Sequence, residues 1–116
     1  MITEDYVSFE TAKLLKEKGF NEPCSSYFIS DNEIGLISVR QDFNDYGVYL
    51  SAPTLQMARK WLKEVHDIDV SIVPLRSHKE YLPRIEGNIT SHDATPCKKY
   101  EEAAEMAIKY TLENLI

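Results

Sequence analysis

The most chemically suggestive run in this 116-residue sequence is His66-Asp67-Ile68-Asp69. An imidazole beside two carboxylates can ligate a metal or act as a base. The same residues also suit a helix that ends and passes into a strand. A cation-capable side chain then complements the helix C-terminus, and Asp69 faces solvent. His78 and His92 stand in polar segments with no ligand spacing, so a three-ligand zinc site would have to be gathered from distant parts of the chain. Asp42-Phe43-Asn44-Asp45-Tyr46-Gly47 begins like a calcium loop, with oxygen-bearing side chains first and third and glycine sixth. It breaks at the fifth position, Tyr46, and again at the twelfth, Pro53, where a calcium loop carries glutamate. A turn built on Asn44, Asp45 and Gly47 is the simpler use of this run.

Patterns that activate a nucleophile or cradle a phosphate are missing. There is no GxSxG elbow. The four glycines, Gly19, Gly35, Gly47 and Gly87, are too scattered to form a phosphate loop. Cys24 and Cys97 belong to no CxxC motif, and two separate thiols in a reducing compartment are expected rather than a disulfide. No catalytic, metal or cofactor residue is therefore assigned. Arg59, Lys60 and Lys63 share one helix face and could touch a phosphate backbone, although Glu64 sits beside them. Seven tyrosines are many for this length, and tyrosine suits interfaces because a large ring carries a polar tip. Tyr46 and Tyr49, beside an acidic segment, are the best of them for a contact surface.

Nineteen acidic against 13 basic residues give a net charge of −6, which argues against nucleic-acid binding as the main role. Between Glu22 and Tyr49 the acids Glu22, Asp31, Glu33, Asp42 and Asp45 face only Arg40, which suits a solvated, loop-rich face. The opening MITEDYVSFE is acidic and lacks the apolar run of a signal peptide. No stretch approaches the roughly 20 apolar residues of a membrane span. A cytoplasmic protein is expected, and the sequon Asn88-Ile89-Thr90 carries no weight without secretion.

The elements that must position these residues follow from periodicity. The first helix is expected from Ser8, an N-cap, to Lys18, with Gly19-Phe20 as a left-handed cap and its apolar follower. The second is capped by Ser51 or Thr54, has Pro53 in its first turn and runs to His66. Leu55, Met57, Ala58, Trp61, Leu62 and Val65 form its apolar arc. The third runs from Lys98 to the C-terminus with a wider arc, including Leu112 and Leu115, that invites cover from a second subunit. Strands are expected at 26–29, 34–39, 68–75 and 81–85, with Pro83 marking an edge and 90–96 a polar loop. The order α-β-β-α-β-β-α, with short turns between strands, implies a single α+β domain: an antiparallel sheet covered by helices in a layered sandwich.

Three stretches, ITEDYVSFETAKLLKEKGF, SAPTLQMARKWLKEVH and KYEEAAEMAIKYTLENLI, resemble small proteins encoded by gut anaerobic bacteria and their phages. From Tyr49 onward the chain also resembles the phage-associated ABA-sandwich domain. That family has an aromatic-Ser/Thr helix opening, two strands and an Ala-rich closing helix, here Tyr49-Leu50-Ser51, 68–75 with 81–85, and the helix ending at Leu115-Ile116. Ala52-Pro53 is an insertion relative to that pattern. The resemblance implies a fold and a phage-like origin and transfers no site.

The sequence thus points to a non-catalytic binding or adaptor protein of phage or mobile-element origin, whose partner is another protein or a second copy of itself. Its candidate interaction surface is Tyr46, Tyr49, Leu112 and Leu115. Two alternatives stay open: a small metal-dependent or hydrolytic enzyme around His66 and Asp69, and a nucleic-acid regulator working through Arg59, Lys60 and Lys63.

Overall fold

The computed structural model describes residues 5–30, 33–45, 50–76, 79–86, 91–93 and 95–116. Among them lie three α-helices and two three-stranded antiparallel sheets, the α+β class implied by the sequence. The chain divides into two compact units, Met1–Thr54 and Leu55–Ile116.

The first unit opens with α1 (Phe9–Glu17). Ser8 caps it, its hydroxyl accepting from the Thr11 amide at 3.2 Å and donating to the Thr11 hydroxyl at 3.1 Å. At the other end Gly19 takes φ +92°. Its amide reaches the Lys16 carbonyl at 3.2 Å, and the Phe20 amide reaches that of Leu15 at 2.9 Å. This is the double closure of a Schellman motif, and it leaves Phe20 buried. Next come β1 (Cys24–Ser30), β2 (Glu33–Gln41), a 3-10 turn at Phe43–Asp45 and β3 (Leu50–Ser51). The sheet order is β2-β1-β3. Cys24, Ser26 and Phe28 alternate into the core, and Phe9 of α1 meets Phe28 edge-on at 5.4 Å.

The second unit is α2 (Leu55–His66), β4 (Asp69–Leu75), β5 (Glu80–Glu86), β6 (Ser91–Asp93) and α3 (Tyr100–Asn114), with sheet order β4-β5-β6. Leu55, Ala58, Trp61 and Leu62 of α2 are buried, while Val65, at the end of the expected arc, is exposed. Helix α3 packs on β4 and β5 and beside α2, burying Ala103, Ala104, Ala107, Ile108, Thr111 and Leu112.

Several boundaries differ from the expected ones. Pro53 and Ser51 precede α2: Ser51 lies in β3, and the Pro53 carbonyl accepts the Val7 amide at 3.0 Å. Helix α3 begins at Tyr100, with Lys99 at the cap position and no side-chain cap bond. The polar loop expected at 90–96 contains β6. Pro83 is not on an edge strand, because β5 is central. Tyr81 exchanges both backbone bonds with Cys97, so alternation turns Pro83 toward the same side. It therefore faces away from β4, and its missing N–H costs the β4 ladder nothing.

Candidate functional site

The groups singled out for chemistry do not converge. His66, at the end of α2, sets its ring edge-on against Trp61 at 4.8 Å. Its Nε2 is buried without a hydrogen-bond partner among the described residues. Asp67 takes φ +55°, and its carboxylate bonds Lys63 Nζ at 3.0 Å. Asp69 is exposed at the start of β4. Among the described residues no group of three His, Cys, Asp or Glu side chains could hold a metal ion. His78 lies outside the described residues, as do Gly47, Gly87 and the sequon at 88–90, and only the backbone of His92 is described.

The calcium-like run is a structural staple. The Asp42 carboxylate accepts the Asn44 amide at 3.0 Å, an Asx-type turn. The side-chain oxygen of Asn44 accepts the Ser51 amide at 3.0 Å, and its NH2 donates to the Phe20 carbonyl at 2.9 Å. Asn44 thus ties the end of α1 to β3, and its oxygen is not free to ligate. Tyr46 and Tyr49 lie outside the described residues.

Each member of the basic trio makes a contact within its own unit. Arg59 Nε donates to the Val70 carbonyl at 2.9 Å and its Nη1 to the Tyr100 hydroxyl at 2.7 Å. Lys60 lies 4.0 Å from Glu64, and Lys63 pairs with Asp67, which raises the Lys63 pKa. Of the three, Arg59 works mainly as a brace between α2, β4 and α3.

The nucleophile inventory is equally occupied. Cys24 and Cys97 are buried thiols not joined in a disulfide. Desolvation pushes the Cys24 thiol up to about 11 against the pull of a Ser51 hydrogen bond, and burial raises Cys97 as well. Both stay protonated at neutral pH, the inert form. The Ser26 hydroxyl donates to the Ala52 carbonyl, Ser51 accepts the Phe43 amide at 3.1 Å, and Thr111 donates to the Ala107 carbonyl at 2.8 Å.

What the fold leaves open is a sheet edge. Leu112, expected on a contact surface because its helix is so apolar, is fully buried, and Leu115 is half-buried. The wide arc of α3 therefore covers its own sheet first, leaving Tyr100, Met106 and Tyr110 outside it. Among the described residues, three of the four sheet edges are managed. β3 has two residues and β6 three. On β4, the Val70 carbonyl is occupied by Arg59, and Pro74 has no N–H to offer.

The fourth edge, β2, is nine residues long and carries no proline. Its side chains Leu36 and Ile34 are 71% and 40% exposed. They oppose Ser26 and Phe28 on the face that α1 covers over β1, so the apolar face runs out from under its cover. The Ala52 amide bonds the Ser26 carbonyl at 3.1 Å, which turns the backbone groups of Ser26 and Phe28 toward β3. Tyr27 then faces Gly35, and the N–H and C=O groups of Ile34 and Leu36 point out to the open edge. On the opposite face the Tyr27 ring lies over Gly35, where a Cβ would come within 2.5 Å of its Cζ. Beyond Leu36 the register shifts before Gln41 meets Cys24, so the regular open stretch is short. No signal of alternation alone marks this site. The apolar stretch 34–39, interrupted only by Gly35 and Ser38 and with no proline, was the available clue.

No protein-family model, no curated protein and no solved structure matches the chain.

Proposed function

We propose that this chain is a non-catalytic binding protein that captures its partner by adding a strand of that partner to β2. The observation that carries the reading is that, among the described strands, β2 presents outward backbone groups together with exposed apolar side chains at Ile34 and Leu36. Strand addition uses both: main-chain bonds supply affinity, and alternate side chains supply choice. The occupied hydroxyls, protonated thiols and paired cations described above leave binding as the activity the surface favours. A phage or mobile-element origin belongs to the same proposal and rests on the resemblance of the helical stretches alone.

The test uses Ile34→Pro. That substitution removes an outward N–H while leaving the ladder to β1 in place. Immobilised wild-type protein is expected to retain a specific protein from extract. The proline variant, at an unchanged melting temperature, is expected to lose it. Equal retention by both would remove β2 from the function.

A further inference from the structure

Resting on β2 as the docking edge, we infer that the segment it takes is an extended peptide alternating apolar residues with lysine or arginine. The two faces of the edge ask for different things. Ile34 and Leu36 share the face that continues the covered core, and an added strand must bury them with apolar side chains of its own. Glu33 opens the strand with an exposed carboxylate, where a basic side chain of the added strand would meet an opposite charge.

The sequence around β2 is predominantly acidic. From Glu22 to Asp45 the sequence has five carboxylates and one cation, Arg40, whose guanidinium is turned onto the Pro23 carbonyl at 2.8 Å. At the far end of β2, where Cys24 pairs with Gln41, the Cys24 thiol feels Arg40 first and then the carboxylates of Asp42 and Glu22, so the acids there outnumber one cation. Complementary charge would steer a basic segment to this edge and fix its orientation. A second copy of the chain is the wrong occupant, because it would set two such acidic segments side by side within a chain of net charge −6.

The experiment titrates fluorescently labelled, end-blocked peptides into the intact protein. The probes are a valine–lysine alternating peptide, its valine–serine and valine–glutamate counterparts, and the valine–lysine peptide N-methylated at every second amide. The valine–lysine peptide is expected to bind best, more weakly as salt rises. Glu33→Gln is expected to weaken it by about threefold, the scale of an exposed ion pair. Ile34→Pro and N-methylation are expected to abolish binding, the latter without altering the protein. Equal binding of valine–serine or valine–glutamate overturns the charge inference and leaves the edge reading standing. Valine–lysine binding that survives both N-methylation and Ile34→Pro, or no binding of any probe, overturns both. Sedimentation at neutral pH showing a dimer that Ile34→Pro dissolves would seat a second copy on the edge and also overturn the inference.

Discussion

At the scale of single residues, backbone conformation and burial set the energetics more than charge does. Gly19 sits at φ +92°, and a Cβ added there would find nothing within 4 Å, so only the left-handed backbone resists a substitution. Gly19→Ala is expected to cost about 1 kcal/mol in a urea titration, with no change in cooperativity. Asp67 holds a comparable conformation, φ +55°, without being glycine, and its amide closes α2 on the Lys63 carbonyl at 3.1 Å. Cys24 supplies a pH signature. Its thiol, ordinarily near 9.0, is pushed up to about 11 in the folded chain, chiefly by desolvation. Above pH 9 the unfolded chain releases this proton while the folded chain keeps it. Stability is therefore full below pH 9 and falls as pH rises toward 11, by up to about 2 kcal/mol. The Cys24→Ala variant is expected to show a smaller loss over the same window, which separates the thiol from the tyrosines and lysines that titrate nearby. Identical slopes for the two proteins would remove Cys24 from the effect.

At the scale of elements, what could be read in advance was what local chemistry dictates. Ser8 and Gly19 bounded α1 because capping is a matter of adjacent residues, and the arc Leu55, Ala58, Trp61, Leu62 identified α2 because burial repeats at the helical period. The two-residue β3 and three-residue β6 escaped, since period two needs more residues than that to register. Pro83 misled for a related reason: what a strand proline tolerates depends on which side its nitrogen faces, and that is settled by the partner at Cys97. The open edge was invisible for the same cause, because pairing order makes an edge and pattern does not. Leu112 looked like interface when only its helix was considered, and the sheet beneath α3 claimed it. The cross-strand pair Tyr27–Gly35 makes this dependence measurable. Gly35→Ala must displace the Tyr27 ring from a Cβ only 2.5 Å from its Cζ, and that ring also packs on Phe43 at 4.5 Å. The expected cost is about 1–2 kcal/mol. In a Tyr27→Ala background the same substitution is expected to be near neutral, and a double-mutant cycle reads the coupling. Additive effects would mean that the ring and the glycine do not share this space.

At the scale of the whole molecule, the open edge and the net charge are two parts of one arrangement. An exposed strand carrying Ile34 and Leu36 is a template for pairing with copies of itself unless something keeps the copies apart. Lysine and proline do this on many edges and are missing from Glu33–Gln41. Repulsion between chains of net charge −6 can take their place, and it protects only while that net charge remains. Near the isoelectric point, about 5.0, that protection disappears while the edge stays open. Light scattering is therefore expected to rise as pH is lowered from neutrality toward 5 in dilute salt, and to rise less in the Leu36→Lys variant. An equal charge placed elsewhere, Asn21→Lys at an exposed position off the strand, is expected to protect less than Leu36→Lys. If the two lysine variants protect equally, net charge alone governs association and the edge plays no part. If only Leu36→Lys protects, the surface proposed to receive a cationic strand is also the surface that self-association uses once the net charge is lost.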